Sequence, residues 1–198
     1  MRSLIIMLPV FLMLITPATA RELSGACTVT FIGSSTLHNF EGTATCNPFV
    51  LTVNAAPSGE LQLGPVVLTV PVTTMITGID RRDRTMWEMF ESELFPLITG
   101  RLAAMPLKEL RRQLHESAKT AAEFTLLLRI RNIEQPVKTR VTRLVDSTES
   151  FTVDLEFTLS LATFRLEPPT VLGFIRVADA VKVKVNVQLA PLDASWSP

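Results

Sequence analysis

Two runs of strict alternation in the last third of the chain do most to limit what it can fold into. Phe151, Val153, Leu155, Phe157, Leu159 and Leu161 occupy every second position, separated by Thr152, Asp154, Glu156, Thr158 and Ser160. Val181, Val183, Val185, Val187 and Leu189 repeat the period, with Lys182 and Lys184 on the opposite face. Successive side chains of a strand point to opposite faces, so each run is a strand with one apolar and one polar side. A one-sided strand suits an antiparallel sheet with one face on a core and the other in water.

The same period recurs upstream. Residues 26–32 alternate and turn at Gly33-Ser34-Ser35 into a strand over Phe40–Val53, where Gly42 suggests a bulge and Asn47-Pro48 an interruption. Ala55–Gly59 is a turn, Glu60–Thr74 a strand with Pro71 at an edge or bulge, and Leu97–Met105 another strand. Phe124, Leu126, Leu128 and Ile130 share one side of a further strand, and Val137–Leu144 returns after the turn at Asn132–Pro136. Eight or nine such strands joined by short turns make an all-β antiparallel meander. Closing it into an eight-stranded up-and-down barrel removes its edges. A β-sandwich is the alternative architecture.

Thr77–Pro96 breaks the pattern. Thr85 and Glu88 have capping-box spacing, Met86, Met89, Phe90 and Leu94 fall on one helical face, and Pro96 stops the run. A covering helix is expected here. A second, short helical insertion is expected over Pro106–Ser117, with Leu107, Leu110 and Leu114 on one face and mixed charges opposite.

The chain opens with Arg2, an apolar run from Leu4 to Ile15, and Ala18-Thr19-Ala20. That is the layout of a cleavable secretory signal, with an apolar run too short to span a bilayer. The expected domains are a signal peptide over 1–20 and a single barrel over 21–198, with cleavage after Ala20. Ser24 stands where a lipobox before Cys27 would need an apolar residue, which argues against lipidation. The expected product is a soluble periplasmic or secreted protein with no retained transmembrane segment.

Residues 1–20 hold one of the 19 basic residues and none of the 19 acidic ones, so removing them leaves a net charge of −1. Near-neutrality without a basic block argues against a nucleic-acid partner. Cys27 and Cys46, the only cysteines, flank the turn-rich segment Gly33–Asn39 almost symmetrically. A hairpin would set them opposite each other, so a structural disulfide is expected in an exported chain, with a pair of buried free thiols as the alternative. Their spacing is not that of a catalytic Cys-x-x-Cys pair.

Catalysis finds little material. His38 and His115 are the only histidines, far apart and without metal-ligand spacing to Cys, Asp or Glu. There is no Gly-x-Ser-x-Gly elbow, phosphate loop or dinucleotide fingerprint, and no tyrosine. No enzyme activity, metal or cofactor is expected. Apolar binding is better supplied. Phe31, Phe40, Phe124, Phe151 and Phe157 point to a common interior, joined by Leu126, Leu128, Val153, Leu155, Val183 and Val185. Met75, Met86 and Met89 add flexible side chains that can reshape around a ligand, and Phe90 is a further lining candidate. For each of these residues, plain core packing is the competing role.

Three groups of residues together resemble the YceI-like family of exported lipid-binding barrels. Thr77-Gly78-x-x-x-Arg82-Asp83 with Met86-Trp87 and Phe95-Pro96-x-Ile98 is similar to the family's central signature. Ser35–Gly42 resembles its early Ser/His hairpin, and Phe157–Val181, through Pro168-Pro169 and Leu172-Gly173, resembles its closing strands. The resemblance spans about residues 25–190. It implies an extended lipocalin-like barrel and a non-enzymatic periplasmic carrier. In the cavity it implies an isoprenoid lipid, either a polyprenyl phosphate or an isoprenoid quinone. Arg82 could pair with a phosphate head group at the mouth, or it could help fix the helix entry. The competing function is an envelope interaction module with a filled core and a surface partner site, such as the 106–117 helix.

Overall fold

A computed structural model describes residues 21–56, 58–109, 112, 123–146, 150–168 and 176–191. The eleven strands are β1 (Arg21–Ser34), β2 (Asn39–Thr45), β3 (Phe49–Ala55), β4 (Leu61–Leu63), β5 (Val66–Pro71), β6 (Leu97–Leu102), β7 (Met105–Pro106), β8 (Glu123–Ile130), β9 (Ile133–Asp146), β10 (Phe151–Ser160) and β11 (Ala180–Pro191). They form one curled antiparallel sheet in the order β5-β6-β8-β9-β10-β11-β1-β3-β4-β7, with β2 also on β1. The class is the expected antiparallel barrel type, with eleven strands among the described residues in place of eight.

The extra strands arise because long strands change partners. β1 pairs with β3 over Arg21–Gly25 and with β2 over Thr28–Ser34, so Asn47-Pro48 divides the predicted second strand in two. The sheet curls back on itself through β2 and β5. Thr43 and Ile76 exchange N–H···O bonds of 2.8 Å, and Asn47 N donates to Thr69 O at 2.8 Å. The segment expected as one strand over Leu97–Met105 is β6 and β7, interrupted at Ala103-Ala104.

Gly42 marks no bulge. The β1–β2 ladder runs unbroken through Phe31↔Gly42 and Gly33↔Phe40. Both glycines make room for rings on the facing strand, as does Gly25 opposite Phe49. A Cβ on Gly42 would lie 2.2 Å from the Phe31 ring, one on Gly33 2.4 Å from Phe40, and one on Gly25 2.3 Å from Phe49. A bulge occurs instead in β9, where Asp154 pairs with Arg143 and Leu155 with Val141, leaving Thr142 extra.

Helix α1 (Asp80–Met89) begins five residues before Thr85. Thr85 is therefore not the cap: it sits mid-helix and its hydroxyl donates to Arg81 O at 2.9 Å. The N-cap is Ile79, without a side-chain cap, and Asp83 instead binds Thr77 ahead of the helix, as described below. Glu91, at φ 52, ends the helical run before Pro96 is reached. Phe90 is buried and Met86 and Met89 pack against the core, but Leu94 is 74% exposed and leaves the apolar face.

Of the second predicted helix, Leu107–Glu109 and Arg112 are helical, and Pro106 belongs to β7. The rest of Pro106–Ser117, including His115, lies outside the described residues, as do the signal segment 1–20 and Leu172-Gly173. Among the described residues, no helix is long and apolar enough to cross a membrane.

Candidate functional site: the apolar interior and its openings

The sheet turns one face inward, and burial along that face is graded. On β8, Phe124 and Leu126 are half-buried while Leu128 and Ile130 are buried. On β10, Phe151, Val153 and Leu155 are half-buried while Phe157 and Leu159 are buried. β9 runs the opposite way and shows the opposite gradient, from buried Val137 and Val141 to Leu144 at 41% exposure. On these three strands the inward residues are therefore packed toward one end and more accessible toward the other. By contrast, Val187 and Leu189 of β11, opposite Val153 and Phe151, are buried. Leu144 was not among the residues picked from sequence, because simple alternation from Val137 points it outward. The bulge at Thr142 reverses the phase and pairs Leu144 with inward-facing Val153.

The predicted lining residues divide by burial, though not strictly by position along the interior. Phe31, Met75, Phe90, Leu128, Phe157, Val183 and Val185 are buried. Phe40, Met86, Met89, Phe124, Leu126, Phe151, Val153 and Leu155 keep partial exposure.

Helix α1 covers the packed end. Trp87 Nε1 donates to Met75 O at 2.9 Å, and Val72 N donates to Pro96 O at 2.9 Å. Arg131, in the β8–β9 turn, forms an ion pair with Glu91 and lies 6.0 Å from the Phe95 ring. The helix is therefore fastened over the end opposite the accessible apolar residues.

The Thr77-Gly78-x-x-x-Arg82-Asp83 motif is the fastening. Gly78, at φ 77, turns the chain before the helix. Buried Asp83 then accepts from both the backbone N of Thr77, at 2.8 Å, and its hydroxyl. Arg82 donates through Nε to Thr77 Oγ1 at 2.7 Å and through Nη2 to Thr77 O at 3.1 Å. Its guanidinium also lies 5.2 Å from the Phe40 ring, tying α1 to β2. Asp80 and Asp83 stand in the first turn, where the helix dipole favours negative charge. This geometry gives Arg82 the role of fixing the helix entry.

Cys27 and Cys46 form a disulfide with Cα atoms 5.2 Å apart, at the end of the β1–β2 ladder. Both sulfurs are on the inward face, as the hairpin symmetry predicts. His38 is exposed in the β1–β2 turn, where its carbonyl accepts from Ser35 Oγ at 2.8 Å. Among the described residues, no three His, Cys, Asp or Glu side chains are grouped as a metal would require.

A surface groove and a cleft in the wall lie outside the packed interior. A groove of about 450 Å³ is lined by residues of α1 and the segment after it, including Trp87, Glu91 and Leu94. A cleft of about 440 Å³ lies between β9 and β10, with Val137, Phe157, Leu159 and Phe164 as its apolar surface. Phe164 was missed as a site residue. It lies in a short 3-10 turn, Ala162–Phe164, where no strand or helix period marks it as inward.

A curled antiparallel sheet around an apolar interior, capped at one end by a helix, is a lipocalin-like binding-barrel architecture. The YceI-like domain model matches residues 24–189, and the chain belongs to that family. Among solved structures, a polyisoprenoid binding domain from Saccharophagus degradans, implicated in plant cell wall breakdown, is similar at 16% identity. The alignment covers 85% of this chain and 98% of that one, with a TM-score of 0.55. BcnA of Burkholderia cenocepacia aligns at 16% identity over 82% of this chain and 95% of that one, with a TM-score of 0.58. At these identities the likeness is one of fold. No curated protein matches the chain.

Proposed function

We propose that this protein is a non-enzymatic carrier that holds an isoprenoid lipid, such as a polyprenyl phosphate or isoprenoid quinone, inside the barrel. The observation that carries this reading is the accessible apolar end of the interior. Val153 and Leu155 alternate inward yet keep partial exposure, and Leu144 beside Val153 is exposed. Inward apolar surface that stays partly accessible is surface that an apolar chain can cover. Each methylene so buried contributes roughly 0.8 kcal/mol. The likeness to a polyisoprenoid binding domain supports the choice of ligand class.

The Cys27–Cys46 disulfide and the signal-like residues 1–20 support an exported, periplasmic or secreted location. Prenyl lipids should be recovered by solvent extraction of the purified protein, with matching adducts in native mass spectrometry. Protein that is repeatedly empty, and that takes up no added geranylgeranyl phosphate or geranylgeraniol, would overturn the proposal.

A further inference from the structure

The wall of the barrel is split between β9 and β10, and the split is built like a head-group site. β9 pairs with β8 from Ile133 to Arg140, but its ladder with β10 ends at Arg140↔Glu156. Continued in register, Thr139 would meet Phe157, Lys138 would meet Thr158, and Val137 would meet Leu159. These pairs are not formed, and the cleft of about 440 Å³ lies between them. That volume is within the range of small-ligand pockets.

The lining changes character with depth. Val137, Phe157, Leu159 and Phe164 are all buried and belong to the inward apolar face. Thr158 and Thr163 supply hydroxyls, that of Ser160 being donated to Asp179, and Lys138, Arg140, Glu123 and Glu156 supply charges. The two acids already have partners: Glu123 lies 3.7 Å from Arg140 and Glu156 lies 3.0 Å from Lys182. Lys138 is exposed and has no ion-pair partner among the described residues. The cleft thus joins an apolar depth to a hydroxyl-rich rim with an available cation.

On the carrier reading above, we propose that the β9–β10 split holds the anionic head group of an isoprenoid phosphate. Lys138 is the principal cation, Arg140 assists, and the rim hydroxyls donate to phosphate oxygens. The first isoprene units rest on Phe157 and Leu159. The tail runs from there along Leu155, Val153 and Phe151 toward the accessible end. Phe157 to Phe151 is six residues of strand, about 20 Å at the usual rise. Arg82 takes no part, since it does not line the cleft and its Nε and Nη2 donate to Thr77.

The test compares geranylgeranyl phosphate with uncharged geranylgeraniol, titrated against the wild type, Lys138→Glu, and Arg81→Glu, which places the same charge change on exposed α1. Lys138→Glu should weaken phosphate binding roughly tenfold, the scale of one charge-assisted hydrogen bond. It should change geranylgeraniol binding less than about twofold, and Arg81→Glu should leave both ligands near wild type. Equal losses for alcohol and phosphate, no loss in Lys138→Glu, or a larger loss in Arg81→Glu would overturn the head-group site while leaving the carrier intact. A wild type that binds neither ligand would overturn the carrier and the site together.

Discussion

Gly42 and Asp83 do their work by what surrounds them. A methyl at Gly42 would press on the Phe31 ring and also lie 2.7 Å from the backbone oxygen of Ile76, which cannot swing away. Gly42→Ala should therefore destabilise the protein by about 1–3 kcal/mol, measured by urea unfolding. Gly100 is the contrast. The nearest atom to a Cβ there is Leu126 Cδ2 at an ordinary 3.5 Å, so Gly100→Ala should cost little or stabilise slightly. Asp83→Ala leaves the Thr77 N–H without its acceptor beneath α1 and should cost about 1–3 kcal/mol. If Asp83→Ala unfolds at the wild-type midpoint, the fastening role of the motif is wrong. The motif's residue types were legible in the sequence, but their partners were not. Thr77 is a hub because the chain folds back on it, and spacing alone does not show that.

Two crosslinks between elements give predictions of their own. The Cys27–Cys46 bond closes a loop with a sequence separation of 19. In the chain-entropy account, such a loop stabilises by about 3 kcal/mol. Reduction or a double Cys→Ser change should lower the unfolding free energy by that order, and an unchanged midpoint would refute it.

Asp179 joins the turn after β10 to the start of β11. Its carboxylate accepts from Ala162 N at 2.7 Å, and this bond is the main cause of a pKa below the ordinary 3.8, with further help from the Ser160 hydroxyl. A carboxylate with a lowered folded-state pKa contributes stability above the unfolded value and loses it as pH falls through the folded one. The midpoint gap between wild type and Asp179→Asn should be present at neutral pH and close below about 3.8. The effect will be small because the group is exposed to solvent. At this scale the cysteine pairing was readable from hairpin symmetry. The α1 boundaries were not, since Thr85 carries a capping pattern inside a helix whose start is set by the turn at Gly78.

For the whole molecule, the graded interior is the feature with consequences. Val153 is half-buried at the accessible end, so Val153→Trp should fit without unfolding the barrel and should occupy the path of a bound chain. Lipid recovered per mole of protein should fall severalfold while the unfolding free energy measured in urea changes by less than about 1 kcal/mol. Undiminished lipid recovery would place the tail elsewhere.

By itself the sequence determined the inward and outward faces of β8, β10 and β11, the hairpin that joins the two cysteines, and the apolar side of α1. These follow from periods of two or 3.6 residues, which act over a few neighbours. Only the tertiary structure decided which inward residues are packed and which stay accessible. It also decided where β1 and β9 exchange partners, and that the wall opens beside Phe157. Pairing and closure join residues distant in the chain, and one bulge at Thr142 reverses the face of everything after it. Local alternation carries no record of either.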